Sequence, residues 1–285
     1  MGQRVAVVTG AGKGLGRAYA LALGAAGVAV VVNNRWSDRT QPSSAEAVTA
    51  EIRAAGGAAI AETTPVEDPA SGEAMVALAL SEFGRIDAVV ANAGTSEAAR
   101  MRRQTAEAFL NIFDINFFGT YHLVRAAWPH LTGQGEGRIV VSASSAGLHG
   151  GDGMAGYASS KAALIGLTRA LAVEGRVSNV LVNAIAPYAL TQMTERFVSP
   201  DLGARMDPAR VAPLVAWLAG PDCDVTGQVF VAGGGGLKAA FTVEGPRVEI
   251  ESDPGAAAHA ALDARPWRPF ADSHVAFADF MGEAG

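Results

Sequence analysis

Tyr157 and Lys161 stand four residues apart at the head of an apolar stretch, Ala162–Val173. On a helix that spacing places a phenol and an ammonium on one face. A free phenol titrates near about 10 and exchanges protons poorly at neutral pH. A cation beside it favours phenolate and lowers that value, which suits proton exchange with an alcohol or a ketone. The same ammonium can hold the ribose hydroxyls of a cofactor. Upstream, Arg138–Ser145 reads as a strand ending in hydroxyls, and ligands of open α/β sheets bind at the carboxyl ends of strands. Ser144, thirteen residues before Tyr157, is the hydroxyl expected to hold a substrate oxygen against the phenol, with Ser145 next. Ordinary turn chemistry is the competing use of these serines.

A second group of residues is arranged for an anion. After the apolar run Val5–Val8 comes Thr9-Gly10-Ala11-Gly12-Lys13-Gly14-Leu15-Gly16, then a helical stretch, Arg17–Leu23. Glycines at 10, 14 and 16 let the backbone turn sharply and approach a pyrophosphate, while a helix N-terminus points free amides at it. The position between a first strand and a first helix distinguishes the cluster from a turn that binds nothing. The second strand ends in Val32-Asn33-Asn34-Arg35, without the carboxylate that takes a ribose 2′-hydroxyl. Arg35, with Lys13 near the same spot, favours a 2′-phosphate and therefore NADP. NAD stays open if Asp38 folds back to the ribose.

These groups need a scaffold that holds strand ends together. Short β-branched runs recur at Val5–Val8, Val28–Val32, Ala58–Ala61, Ile86–Val90, Ile139–Val141, Val180–Ile185 and Val229–Val231. Apolar throughout, they suit strands buried on both faces. Helical periodicity fills the gaps, as in Ala45–Ala54, Ser71–Phe83 and Ala106–His130. The alternation predicts an α/β, Rossmann-like, doubly wound parallel sheet of seven strands with helices on both faces. Asn116 falls on the apolar stripe of Ala106–His130, where a buried amide must bond local backbone or anchor a water. After Gly233–Gly236 the alternation stops. Residues 237–285 are expected to form an extension packed on the 1–236 domain, with a strand pair around the Glu244–Arg247 turn and a short helix near Ala256–Ala264.

Composition excludes several functions. A net charge of −6 offers no basic surface for nucleic acid or anionic membrane. One cysteine, Cys223, excludes a disulfide framework, and five scattered histidines show no metal-ligand spacing, so no metal is expected. The longest uncharged apolar stretch, Ala18–Val32, is too short for a membrane span. Because strand-like sequence begins at Arg4, no signal peptide is expected and a reducing, cytoplasmic setting is.

Together these residues resemble the short-chain dehydrogenase/reductase family over roughly Arg4–Gly236. The resemblance rests on Thr9–Gly16, Ala91-Asn92-Ala93-Gly94, Asn116, Ser144, Tyr157, Lys161 and Ala186-Pro187. It is similar in particular to the (R)-3-hydroxyacyl-CoA dehydrogenase units of type 2 peroxisomal multifunctional enzymes, through Gly16–Ala22, Arg125–His130, Val173–Asn179 and Val211–Leu218. The resemblance implies an NAD(P)-dependent oxidoreductase acting on a secondary alcohol or ketone. Tyr157 would be the acid/base, with Lys161 lowering its pKa and binding ribose. Ser144 would orient the carbonyl, and Asn116 would hold a water linking Lys161 to solvent. Gly10, Lys13, Gly14, Leu15, Gly16, Asn34, Arg35, Asn92, Ala93 and Gly94 would border the nucleotide, with the Val66 amide beside the adenine. Pro187, the Leu190 backbone and the Thr191 hydroxyl would lie at the nicotinamide.

Three departures accompany the resemblance: Asn33-Asn34 for the Asn-Asp of NAD-dependent relatives, Thr64-Pro65-Val66 without an aspartate, and Pro187-Tyr188 for Pro-Gly. Leu148, Met154, Met193, Phe197 and Met206 predict an apolar substrate pocket, for a 3-hydroxyacyl-CoA or an alicyclic or aromatic alcohol. Arg100, Arg102 and Arg103 are candidates for CoA phosphates or merely a solvated helix start. Phe117, Phe118 and Leu167 point to a homodimer or homotetramer. The alternative function is a non-catalytic dinucleotide-binding scaffold or sensor of the same fold.

Overall fold

The computed structural model describes residues 2–36, 39–190, 199–250 and 253–281. Two compact units divide the chain, Met1–Ala239 and Ala240–Gly285.

The first unit is built on strands β1 (Val5–Val8), β2 (Ala29–Asn33), β3 (Ala59–Glu62), β4 (Ala88–Ala91), β5 (Gly137–Ser142), β6 (Val180–Tyr188) and β7 (Val229–Gly233). All seven expected strands are present, each within three residues of its expected ends, and they pair in parallel. An eighth, β8 (Gly236–Ala240), lies beside β7, giving the order β3-β2-β1-β4-β5-β6-β7-β8. The glycine run that ends the strand–helix alternation is therefore a turn into one more edge strand. The order reverses between β1 and β4, and ligands of doubly wound sheets bind in the crevice at such a point.

Between the strands run α1 (Gly14–Ala25), α2 (Ser44–Ala54), α3 (Ser71–Phe83), α4 (Ala106–Phe113), α5 (Gly119–Gly133), α6 (Ser145–His149), α7 (Ala155–Gly175), α8 (Pro200–Arg205) and α9 (Ala212–Leu218). Tyr19, Leu23, Val48, Ile52, Val215 and Leu218 of α1, α2 and α9 form one core layer with Ala6, Val8, Val30, Val32, Val90, Val140 and Ile185. Each fully buried valine, leucine or isoleucine contributes about 1.5–3 kcal/mol relative to exposure. Elsewhere on the sheet α3 packs on α5, and α4 on α7. None of the described helices is long and apolar enough to cross a membrane.

The periodic stretch Ala106–His130 is not one regular helix. Asp114–Phe118 forms a single π turn between α4 and α5, centred on Asn116, which is fully buried. Inserted π turns re-aim side chains and are frequent at functional sites.

In the second unit, α10 (Pro254–Asp263) is capped by the Asp253 carboxylate, which accepts from the Gly255 and Ala256 amides, and α11 (Ser273–Met281) follows. The strand pair expected around the Glu244–Arg247 turn is absent among the described residues. Glu244 instead exchanges both backbone hydrogen bonds with Arg268 in an isolated antiparallel bridge. Pro246 has no N–H with which to continue a ladder across that turn.

Candidate active site

At the carboxyl end of β1 the chain turns through Gly10 and Gly14, whose φ values of +62° and +55° favour glycine. A Cβ on Gly10 would stand 2.8 Å from the Ala93 Cα, and one on Gly16 only 2.2 Å from the Gly10 carbonyl oxygen. α1 begins here with no side-chain cap, whereas Ser43 and Thr105 cap α2 and α4. Its first amides are thus left to a ligand.

The turn opens on a cavity of about 430 Å³. It is lined by Gly10, Lys13, Gly14, Leu15, Gly16, Asn34, Arg35, Val66, Asn92, Ala93 and Gly94, all expected to border a nucleotide. Asn33, Glu67, Thr95, Ser96 and Ile115 complete the lining. Asn33 is buried and spends its amide N–H groups on Glu62 (2.5 Å) and the Thr64 carbonyl (3.0 Å). Its Oδ1 remains a buried acceptor without a donor. A glycine cradle, an uncapped helix start, two cations and a spare buried acceptor fit a dinucleotide, with phosphates at the turn and the adenosine end between Asn34, Arg35 and Val66.

Hydrogen bonds tie this cradle to the Tyr157–Lys161 turn. Thr9 Oγ1 accepts from the Asn92 and Ala93 amides, both at 3.0 Å, and Asn92 Nδ2 donates back to the Thr9 carbonyl at 3.1 Å. Ser142 Oγ donates to Asn92 Oδ1 at 3.2 Å. Lys161 Nζ, buried, donates to the Ser142 carbonyl at 2.7 Å. A Cβ on Gly94 would lie 3.3 Å from that ammonium, so the cavity wall and Lys161 are neighbours.

Ser144 caps α6, accepting from the Ala146 amide at 3.1 Å, and its hydroxyl stands close enough to the Tyr157 phenol to hold that group's pKa down. Of the strand-end hydroxyls, Ser142 serves the scaffold and Ser144 stands beside the phenol. Lys161 Nζ stands 5.9 Å from the Tyr157 ring centroid.

The electrostatics correct one expectation. Burial pushes the Tyr157 phenol up from its ordinary value, and the Ser144 hydrogen bond offsets this only in part. Burial likewise pulls Lys161 down, to about 8. The folded chain therefore holds a protonated phenol at neutral pH rather than an acidified one. With its ammonium bonded to the Ser142 carbonyl, Lys161 does not outweigh desolvation of the phenol.

Asn116 has a scaffold task that the sequence does not show. Its Oδ1 accepts from the Thr95 amide at 2.7 Å, and its Nδ2 donates to the Thr95 carbonyl (3.0 Å) and to Ser160 Oγ (2.9 Å). Ser160 Oγ in turn donates to the Tyr157 carbonyl at 2.8 Å. Both amide N–H groups are spent, so none remains to donate to a relay water. Asn116 is a positioning residue that clamps the loop after β4 to the first turn of α7. Replacing it with leucine strands the Thr95 backbone groups, and should lower unfolding free energy by about 2–4 kcal/mol in urea titration. An unchanged midpoint would show the clamp to be dispensable.

The nicotinamide-end residues lie apart from this cavity or outside the described residues. Pro187 lies within β6 and does not line the cavity. The Leu190 amide donates to the Met206 carbonyl at 2.6 Å, so of its backbone groups the carbonyl is the one left for a carboxamide. Thr191, Met193, Phe197 and Asp38 lie outside the described residues.

Two residues given no role by the sequence are instructive. Thr9 sits in the quoted motif, and its hydroxyl at a strand end was a usable signal. Glu67 comes from the loop after β3, and only topology brings it to Arg35.

Comparison with known proteins identifies the family. Residues 4–201 match the family model described as short chain dehydrogenase. The chain is 42% identical over 236 residues to the peroxisomal multifunctional enzyme type 2 of Mus musculus, covering 81% of this chain and 32% of that one. It thus spans about a third of the mouse protein. It is 36% identical over 241 residues to a 3-oxoacyl-[acyl-carrier-protein] reductase of Synechocystis, covering 81% of this chain and 96% of that one. A short chain dehydrogenase from Mycobacterium avium superposes with a TM-score of 0.82 at 37% identity, over 93% of this chain and 97% of that one. With a matching family model over well more than half its length, the chain belongs to the short-chain dehydrogenase/reductase family and is an oxidoreductase.

Proposed function

We propose that this oxidoreductase interconverts a secondary alcohol and a ketone, that Tyr157 passes the proton, and that it uses NADP in preference to NAD. One observation carries the reading: the Tyr157 ring, with Ser144 beside its phenol, stands 5.9 Å from the buried Lys161 ammonium, which itself neighbours the glycine-lined cavity at Gly94. A bound nicotinamide dinucleotide would supply or accept the hydride. In the reducing direction the neutral phenol donates its proton to the oxygen that gains charge, and Ser144 donates a hydrogen bond to the same oxygen. Lys161 supplies positive charge to the phenolate that forms, and Asn116 keeps the α7 turn in place. Lys13 and Arg35 on the cavity wall, with Asn34 where a carboxylate would bind a 2′-hydroxyl, support NADP.

For the substrate, an acyl thioester is favoured. The Synechocystis relative is named for a 3-oxoacyl group, and Leu148, Met154 and Met206 are the described apolar residues proposed to meet an acyl chain. Arg102 and Arg103 are exposed in a short 3₁₀ turn beside Arg100, which pairs with Asp152 at 3.0 Å. They are the proposed partners of CoA phosphates. Partly exposed Phe118 and Tyr121 near the start of α5 support assembly as a homodimer or homotetramer.

The test is loss of reduced-nicotinamide absorbance with NADPH and NADH against 3-oxoacyl thioesters and alicyclic and aromatic ketones. Turnover of the thioesters, faster with NADPH, is expected. Tight nucleotide binding with silence across the panel would leave a scaffold or sensor in place of a working enzyme.

A further inference from the structure

The adenosine end of the cavity holds a carboxylate that the strand-end sequence does not predict. Glu67, in the loop between β3 and α3, places Oε1 3.7 Å from Arg35 Nη1, and both residues line the cavity. The pair is solvated, with Arg35 58% and Glu67 31% exposed, and at 3.7 Å it is an ion pair beyond hydrogen-bond reach. Pairs of this kind contribute little and break readily. Asn34, the residue at the usual carboxylate position, donates to Ser44 Oγ at 2.8 Å and carries no charge. The only carboxylate on the described cavity wall is therefore Glu67, and it faces a cation suited to a 2′-phosphate.

We infer that Glu67, through its ion pair with Arg35, is the specificity-determining residue for the nucleotide: it keeps Arg35 neutralised when the ribose carries a 2′-hydroxyl and competes with a 2′-phosphate for the same guanidinium. The inference rests on the proposed use of a nicotinamide dinucleotide. A ligand without the phosphate leaves the pair intact and strands no cation. A ligand with it must draw Arg35 toward the phosphate, against repulsion from a carboxylate a few ångströms away. Glu67 thus moderates the NADP preference set by Lys13, Arg35 and Asn34, and leaves a site that accepts both nucleotides.

The experiment measures dissociation constants of the full chain for NADPH and NADH by nicotinamide fluorescence, and for 2′,5′-ADP and ADP by calorimetry. Both residues are at the surface, so Glu67→Gln and Arg35→Ala are expected to fold, as circular dichroism would verify. Glu67→Gln should tighten NADPH and 2′,5′-ADP by about ten-fold at low salt, and NADH and ADP by less than about two-fold. In an Arg35→Ala background the same substitution should gain less than about three-fold for NADPH, because the competition has lost its object. Equal shifts for both nucleotides, no shift, or a full ten-fold gain without Arg35 would overturn the assignment. Failure of the folded wild-type chain to bind either dinucleotide would instead overturn the proposed function, and this inference with it.

Discussion

Replacing Tyr157 with phenylalanine will lower kcat by about 10³-fold or more while leaving nucleotide affinity within about two-fold. The ring fills the same space, so packing of α7 is kept, and the hydroxyl that Ser144 meets is removed. The proton then has no donor at the oxygen that gains charge, and water reaches a buried site poorly. Stopped-flow hydride transfer under saturating substrate, with fluorescence titration of NADPH, separates the two effects. A variant that retains turnover within ten-fold of wild type would remove Tyr157 from the chemistry.

Lys161→Met is expected to lower activity and raise stability together. Burial holds the ammonium at about 8, below its value in the unfolded chain. The unfolded state then binds more protons between about pH 8 and 10.5, so stability rises with pH through that window. Below pH 8 the buried charge costs up to about 3 kcal/mol, offset in part by its bond to the Ser142 carbonyl. Methionine fills the space without the charge, so Tm at pH 7 should rise by about 2–4 °C. Turnover should fall by about 10²–10³-fold as the charge opposing the phenolate is lost. Wild-type ketone reduction should hold steady up to about pH 8 and fall above it, a break the variant should lack. A variant less stable than wild type at pH 7, or one retaining the break, would contradict this account.

Much of the first unit was legible because its strands are buried on both faces. Runs such as Val5–Val8 and Val180–Ile185 carry no alternation, and only a parallel sheet between helices accommodates them. The glycine turn, Ser144, Tyr157 and Lys161 were legible for a related reason, since each occupies a strand end or helix start that sequence order alone places in the crevice. What sequence did not reveal depends on distance between segments. The π turn at Asp114–Phe118 breaks no periodicity strongly enough to be seen, yet it turns Asn116 toward Thr95 and Ser160. Glu67 meets Arg35 only because β2 and β3 are neighbours. The direction of the Tyr157 shift was misread because spacing reports proximity of a charge and not the depth of burial. In the second unit neither α10 nor α11 buries a residue within that unit's described contacts, which weakens periodicity as a guide.

The central claim is that the Tyr157 phenol delivers the proton beside a bound nicotinamide. A crystal structure of the chain with NADP and a slowly reacting ketone tests it most directly. The account predicts the Tyr157 hydroxyl within about 3.5 Å of the ketone oxygen, with Lys161 within reach of the adjoining ribose. A complex in which the phenol and ammonium face away from the nicotinamide, or in which another group occupies that hydrogen bond, would contradict it.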